Sequence, residues 1–271
     1  IVGSAPNFPN GVIDDIEGLS DLAVKYRVGL HVDCCLGGFL LPFMAQAGYG
    51  DHLPVFDFRH PGVTAISCDT HKYGFAPKGS SVILYRSKAL RHCQYFVTTD
   101  WAGGIYASPT IAGSRPGALI AGCWAAMVRM GEQGYVDATR QIIEAARQAK
   151  QGIQDTLPEL YLVGDPWVSV VAFSAHEPLS IYGINDVMNT KGWGLSVLQF
   201  PACVHFAFTL PSASMAEQFL IDLRDAVAQV KANPTHFGEG SAAIYGLATT
   251  VPDRSIVGDI ARGFVDSLYK V

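Results

Sequence analysis

The sequence contains few charged residues and no cluster of lysine or arginine. Asp, Glu, Lys and Arg make up 16% of its 271 residues, and the formal net charge is -5. A nucleic-acid-binding domain usually carries a basic patch, so we expect no nucleic-acid partner. The six cysteines include no C-x-x-C pair, and Cys34 and Cys35 are adjacent. Neither a metal site nor a disulfide framework is therefore predicted.

Long hydrophobic runs are also absent. The longest, Cys34 to Ala45, contains Gly37-Gly38 and Pro42, and a membrane-spanning helix needs about 20 apolar residues. We therefore predict no transmembrane segment in this chain. The G-x-S-x-G and H-E-x-x-H motifs are missing as well, so a serine hydrolase or a zinc protease has no support. What is present is a hydrophobic content of 49%, which is typical of a globular protein with a full core.

The first half of the chain alternates strand-like and helix-like segments. Apolar residues at helical spacing predict a helix over Leu19–Arg27,. Strands are predicted over Gly29–Leu36, Val63–Ser67 and Ser81–Tyr85,. This alternation predicts an α/β fold in which helices cover a sheet. Thr99–Gly117 is rich in Gly, Ser and Pro without a helical or strand period, which is typical of a functional loop.

The second half predicts a smaller α+β domain. A long helical region, Leu119–Leu157, leads into it, and breaks are expected at Gly131 and Gly134,. The predicted elements that follow are two strands and two helices: Val168–Phe173, Cys203–Leu210, Ser212–Val230 with a serine cap, and Asp253–Tyr269,. We place the domain boundary between residues 1–157 and 158–271.

Lys72 is the first candidate for chemistry. It follows His71 where the strand Val63–Ser67 gives way to a loop, and open α/β folds bind ligands at such strand ends. A lysine buried there loses hydration, so its neutral amine becomes accessible near neutral pH and can form a Schiff base. The alternative is a surface lysine that follows a strand.

Asp33 is the second candidate. Side chains alternate along a strand, so His31, Asp33 and Cys35 are predicted to share one face, while Cys34 points the other way,. An aspartate at the end of an apolar strand is unfavourable unless it has a partner. A pyridinium nitrogen would be such a partner. Capping of the following turn, or pairing with an arginine, would also explain Asp33.

These segments resemble enzymes of the group II decarboxylase type, which depend on pyridoxal phosphate. Asp33 and Lys72 occur in the order found in fold type I members, and Asp69–Ser81 and Asp100–Gly117 resemble the sphingosine-1-phosphate lyase branch. The resemblance implies a fold type I, transferase-like α/β architecture. Residues 1–157 would be a partial large domain with a mixed, mostly parallel sheet, and residues 158–271 a small C-terminal α+β domain.

The resemblance also implies a role for individual residues. Lys72 and Asp33 would be catalytic and would bind the cofactor together with His71, Cys35, Gly113 and Ser114, and Lys78 and Tyr106 would bind the substrate phosphate. Gly113 and Ser114 would reach the cofactor phosphate across a dimer interface. Each role has a plainer alternative: a structural histidine, a buried small residue at Cys35, a solvated lysine at Lys78 and a structural loop over residues 100–117.

The implied activity is the cleavage of a phosphorylated sphingoid base to a long-chain aldehyde and phosphoethanolamine. The freed Lys72 is one candidate for the base. A pyridoxal-phosphate-dependent amino-acid decarboxylase and a truncated, non-catalytic subunit are the alternatives.

The resemblance implies a homodimer with shared active sites. For a eukaryotic source, it implies a location at the endoplasmic reticulum membrane with a cytosolic catalytic domain. For a bacterial source, it implies a location in the cytoplasm. The chain begins in a strand-like run without methionine, so we expect an N-terminal part of the same protein to be missing and this chain alone to be incomplete.

Overall fold

Four strands form the sheet of the first part of the chain: β1 (Val2–Ser4), β2 (Leu30–Asp33), β3 (Val63–Cys68) and β4 (Val82–Tyr85). They are adjacent in that order. β1, β2 and β3 run parallel, and β4 is antiparallel to β3. The prediction of a mixed, mostly parallel sheet is confirmed. Parallel strands end at one edge of a sheet, so the residues that follow β2 and β3 come together there.

Helix α1 (Ile16–Tyr26) connects β1 to β2. The Asp15 carboxylate caps its first turn by accepting a hydrogen bond from Gly18 N at 3.0 Å, and Arg27 ends it in the left-handed conformation,. Its buried residues are Ile16, Ser20 and Ala23. The helix therefore begins three residues before the predicted Leu19, because the cap lies ahead of the apolar repeat.

A short hairpin follows helix α2 (Lys88–His92) and consists of β5 (Phe96–Thr98) and β6 (Tyr106–Ser108). The sequence analysis predicted no strand in the segment that contains β6, and this was wrong. With only three residues, β6 is too short for an alternating pattern to be visible.

The long helix α3 spans Gly117–Thr156 and is broken at Gly131, where φ is 58° and ψ is 179°. This conformation lies in the region that favours glycine, because a side chain there meets the backbone. The break predicted at Gly131 is confirmed. Gly134 stays helical, so the second predicted break is wrong.

The second part of the chain contains an antiparallel sheet in the order β7 (Leu160–Leu162), β8 (Val170–Ala175), β10 (Cys203–Ala207) and β9 (Ser196–Leu198). Within the described residues, three helices follow α3: α4 (Ile181–Thr190), α5 (Ala216–Ala232) and α6 (Arg254–Leu268). Aromatic rings fill the core of this part, where Phe206 stacks on Phe219 at 5.3 Å and Trp193 meets Phe219 edge-on at 5.2 Å. The predicted small α+β architecture is confirmed.

The start of α5 differs from the prediction. A 3₁₀ turn over Leu210–Met215 precedes it, and the N-cap is Met215, which makes no side-chain cap bond. Ser212, the predicted cap, instead bonds back to Thr209: its hydroxyl accepts from Thr209 N at 2.9 Å. The serine cap was therefore wrong because the hydroxyl serves the preceding turn.

The computed structural model describes residues 1–233 and 251–269, which divide into two units. The first comprises Ile1–Glu144, Asp165–Ser169 and Thr209–Ala213, and the second comprises Ala145–Gly164, Val170–Phe208 and the residues from Ser214 onward. The chain passes from the first unit to the second within α3. A domain boundary at residue 157 stays a prediction. In these described ranges, no helix is both long and apolar enough to cross a bilayer.

Candidate active site

The turn that carries Lys72 follows directly from the end of β3. Lys72 N donates to Asp69 O at 3.3 Å, and Ala76 N donates to Thr70 O at 3.0 Å. A side chain at Gly74 would collide with the carbonyl oxygen of Thr70, so this tight turn requires glycine. The turn places Lys72 at the carboxyl edge of the sheet, with 33% of its side chain exposed.

The Lys72 ammonium lies between a carboxylate and a thiol. Its Nζ is 2.9 Å from Asp69 Oδ2, and the Cys35 thiol lies near enough to affect its pKa. Partial burial lowers the pKa of Lys72, but the hydrogen bonds and charges of Asp69 and Cys35 outweigh it, so the net effect is a raised pKa. The prediction that burial makes the neutral amine accessible near neutral pH is therefore wrong for this state. The amine has a counter-ion, and the charged form is favoured.

Asp33 ends β2 and uses one carboxylate oxygen for the local structure. Oδ1 accepts from Cys35 N at 2.9 Å and from Ser67 Oγ at 3.1 Å. Ser67 is also 3.0 Å from His31 Nε2, so His31 and Asp33 share a face as predicted. The turn-capping alternative is thus observed at Oδ1. Within residues 1–233 and 251–269, Oδ2 makes no hydrogen bond, and it can still accept one from a ligand.

Cys35 joins the two candidates. Its amide N–H donates to Asp33 Oδ1, and its thiol lies near Lys72. Burial raises the pKa of the Cys35 thiol; the ammonium of Lys72 opposes this, while the carboxylate of Asp33 adds to it. Asp33 ends β2 and Lys72 follows β3, so the carboxylate and the amine both belong to the same edge of the parallel sheet.

Cys34 points to the opposite face of the sheet, as predicted. It is fully buried and lines a separate cavity of about 520 Å³ together with Ile66, Cys68 and Leu84. Burial raises the pKa of its thiol far above the ordinary value. Cys34 is thus a neutral core residue with no contact to Lys72.

His71 is held by the backbone. Its Nδ1 bonds to the carbonyl oxygen of Ser80, and its Nε2 lies 3.9 Å from Asp69 Oδ2. The structural alternative is therefore observed, and a place for His71 beside the cofactor phosphate stays a prediction. A cavity of about 450 Å³ lies next to it, lined by Leu36, His71, Lys72, Tyr73, Phe75, Thr209 and Pro211.

The four remaining candidates do not contact Lys72. Lys78 is exposed in the loop between β3 and β4, and no carboxylate in the described part of the chain forms an ion pair with it. Tyr106 lies on β6, 42% exposed, with its ring edge-on to Trp101 at 6.1 Å. Gly113 and Ser114 are exposed in the loop before α3. Their predicted roles in cofactor and substrate binding stay predictions.

The structure adds two residues that the sequence analysis did not assign. Asp69 is the counter-ion of Lys72, and Ser67 holds Asp33. A carboxylate three residues before a lysine in a turn is a signal for Asp69, and the cross-strand pairing of Ser67 with Asp33 requires the sheet register. In the described residues, no group of three or more His, Cys, Asp or Glu could hold a metal ion.

Comparison with known proteins gives a family. The model described as "Pyridoxal-dependent decarboxylase conserved domain" matches residues 7–176. The chain is 50% identical to the sphingosine-1-phosphate lyase of Saccharomyces cerevisiae over 100% of its own length and 46% of that protein. It is 51% identical to sphingosine-1-phosphate lyase 1 of Rattus norvegicus, over 99% of the chain and 47% of that protein. The chain spans about half the length of the curated relatives it matches.

Solved structures agree with this assignment. The sphingosine-1-phosphate lyase of Burkholderia pseudomallei superposes with a TM-score of 0.81 at 42% identity, over 93% of this chain and 56% of that one. The glutamate decarboxylase of Lactobacillus brevis superposes with a TM-score of 0.70 at 23% identity, over 84% of this chain and 54% of that one, and this likeness concerns the fold alone. The fold is that of type I pyridoxal-phosphate enzymes, as the sequence analysis predicted. The chain therefore belongs to the pyridoxal-dependent decarboxylase family, whose cofactor is pyridoxal phosphate, and along its whole length it is similar to the sphingosine-1-phosphate lyases.

Proposed function

We propose that the protein containing this chain is a pyridoxal-phosphate-dependent lyase. It would cleave the C2–C3 bond of a phosphorylated sphingoid base such as sphingosine 1-phosphate, releasing a long-chain aldehyde and phosphoethanolamine. The observation that supports the proposal is the sheet register: Asp33 ends β2 and Lys72 follows β3, which is its parallel neighbour. The identity of about 50% to sphingosine-1-phosphate lyases supports the choice of substrate.

The residues at the sheet edge fit pyridoxal phosphate chemically. Lys72 offers a primary amine for the aldehyde, and Asp33 Oδ2 offers an acceptor for the N–H of a protonated ring nitrogen. When bound, the cofactor supplies an electron sink for the bond that breaks. Asp33 is half-buried, and one of its carboxylate oxygens is still available to a donor. The donor set therefore matches the group that the family uses.

The chain's own residues would divide the work. Asp33 would hold a proton at the ring nitrogen, and Cys35 would contact the cofactor. The Lys72 amine is a candidate to take the proton from the C3 hydroxyl once a substrate amine has displaced it. Lys78 and Tyr106 would hold the substrate phosphate, and preorganised charge of this kind lowers the barrier without rearrangement during the reaction. His71, Gly113 and Ser114 would contact the cofactor phosphate.

Exposed apolar side chains support a partner for the first unit. Large apolar residues between positions 82 and 128 are unusually open to solvent, with Ile105 81% exposed and Trp124 67% exposed. A surface of this kind marks an interaction site. We propose a homodimer with shared active sites, in which Gly113 and Ser114 reach the neighbouring cofactor. An N-terminal part of the same protein, absent from this chain, would cover the rest of this surface. For a eukaryotic source we propose the endoplasmic reticulum membrane with a cytosolic catalytic domain, and for a bacterial source the cytoplasm.

The proposal is tested with the full-length gene product. Purified protein is incubated with pyridoxal phosphate and then with sphingosine 1-phosphate, and both the aldehyde and phosphoethanolamine are quantified. Carbon dioxide release from amino acids without any aldehyde would identify a decarboxylase instead. A protein that binds the cofactor and forms neither product would point to a non-catalytic subunit.

The 271-residue chain by itself is expected to bind pyridoxal phosphate weakly and to show no turnover. The resemblance implies that the family's upstream part supplies a glycine-rich cofactor-phosphate loop and a ring-stacking residue, and we assign neither role to a segment of this sequence. Absorbance titration with pyridoxal phosphate, followed by borohydride reduction and mass spectrometry, measures the affinity. Tight, stoichiometric labelling of the isolated chain would contradict this expectation.

Replacing Lys78 by alanine is expected to raise KM for the phosphorylated substrate about 10- to 100-fold, with a smaller effect on kcat. A charge-assisted hydrogen bond contributes about 1.5–3 kcal/mol, and each 1.4 kcal/mol corresponds to about a tenfold change. Lys78→Arg keeps the charge and should retain most of the affinity. An unchanged KM in Lys78→Ala would show that Lys78 is only a solvated loop residue.

A further inference from the structure

Asp69 is the carboxylate that contacts Lys72, and the proposed function gives it no role. Its Oδ2 lies 2.9 Å from Lys72 Nζ, and its Oδ1 accepts a hydrogen bond from Ser81 Oγ at 2.6 Å. The same Oγ lies 3.2 Å from the carbonyl oxygen of Cys68, the alternative acceptor for its one hydrogen. Only 16% of the Asp69 side chain is exposed. The carboxylate is thus fixed from one side and offers its second oxygen to the amine.

We propose that Asp69 is a positioning residue for Lys72, which holds the ammonium beside Cys35 whenever the amine is not covalently engaged. The inference rests on the proposed function of Lys72 as the residue that binds pyridoxal phosphate. A lysine side chain has several rotatable bonds and loses considerable entropy when it is held in one place. The ion pair offsets part of this loss and keeps the nitrogen on the side of the turn where Asp33 lies. When a substrate displaces Lys72, the released amine would return to a defined position beside Asp69.

The same contact sets the pH at which Lys72 reacts. The charged and titratable groups near the amine are Asp69, Cys35 and Tyr73. Beyond them, His71 Nε2 lies 3.9 Å from Asp69 Oδ2, and Asp33 accepts from Cys35 N. Reaction with an aldehyde or an anhydride requires the neutral amine. Asp69 favours the charged amine, so its removal should move the reactivity of Lys72 toward lower pH.

Competitive acetylation tests this without cofactor or turnover. The full-length protein is treated with a trace of acetic anhydride across a pH series, and mass spectrometry follows the peptide that contains Lys72. In Asp69→Asn the midpoint for Lys72 should fall by about 0.5 to 1 pH unit, since an adjacent carboxylate shifts a pKa by about 1–3 units and partial exposure reduces this. Ser81→Ala, which frees Oδ1 but keeps the charge, should give a smaller shift in the same direction.

Asp57→Asn is the matched control, because Asp57 pairs with Arg59 at 2.9 Å and does not contact Lys72. Its Lys72 midpoint should equal that of the wild type. Far-UV circular dichroism checks folding, and Ser81→Ala gives the answer if Asp69→Asn does not fold. An unchanged pH midpoint for Lys72 acetylation in folded Asp69→Asn overturns the inference. If Asp69→Asn does not fold, an unchanged midpoint in Ser81→Ala overturns it. Cofactor titration of the wild type is read separately, so a failure of the proposed function is distinguishable from a failure of this inference.

Discussion

Replacing Lys72 by alanine is expected to abolish covalent attachment of pyridoxal phosphate and to reduce turnover by at least about 10³-fold. Lys72 is proposed both to bind the cofactor covalently and to take a proton from the substrate, and general acid–base catalysis alone contributes about 10²–10⁴-fold. The measurement is borohydride reduction of the cofactor-loaded, full-length protein, followed by peptide mapping. The wild type should carry the reduced adduct on Lys72, and the variant should carry none.

Lys72→Arg separates the covalent role from the electrostatic one. Arginine keeps the positive charge and can pair with Asp69, but it does not form a stable adduct with an aldehyde under these conditions. It should therefore be as inactive as Lys72→Ala while retaining more of the fold's stability. A reduced adduct on another lysine of the Lys72→Ala protein, with turnover preserved, would contradict the assignment. A subunit that only binds a partner would be insensitive to both changes.

Elements with a strong pattern or a cap were predictable from the sequence, and short or context-dependent elements were not. A strand was predicted over Gly29–Leu36, and the structure has β2 over Leu30–Asp33, so the strand was found but its end was placed three residues too far along the chain. The break at Gly131 was found because glycine is the usual residue at such a φ,. By contrast, β6 is held by its pairing with β5, a contact that no local pattern records. The start of α5 was misplaced because a serine can bond equally well to a preceding turn or to a helix.

The candidate site shows the same division. The position of Asp33 and Lys72 at one edge of the sheet was predictable, because Asp33 ends β2 and Lys72 follows its parallel neighbour β3,. The direction of the Lys72 pKa was not, since it depends on whether Asp69 turns toward the amine or toward solvent. Ser81, twelve residues further along the chain, settles this by holding the carboxylate in place. The loops that carry Tyr106, Gly113 and Ser114 make no contact with Lys72 within one chain, so their roles depend on the proposed dimer.

Replacing Asp33 by asparagine is expected to lower kcat about 10²- to 10³-fold while leaving the fold intact. Oδ1 of asparagine can still accept from Cys35 N and Ser67 Oγ, so the turn and the link to β3 are preserved. An amide nitrogen in the place of Oδ2 donates hydrogen bonds and cannot accept one from a ring N–H. The magnitude follows from the loss of one preorganised electrostatic contact to the charge that develops during the reaction. Steady-state kinetics and thermal unfolding of the full-length protein are measured together.

Asp33→Ala distinguishes the two roles of this carboxylate. If Asp33 only caps the turn after β2, asparagine should be silent, and alanine should destabilise the fold by about 1–3 kcal/mol through the two lost hydrogen bonds. If Oδ2 holds a proton at the cofactor ring, asparagine should already lose most of the activity, and alanine should add a loss of stability. If Asp33→Asn keeps the wild-type kcat, capping the turn after β2 would be the only role of Asp33. The pair of substitutions thus separates what Oδ1 does for the fold from what Oδ2 does for the chemistry.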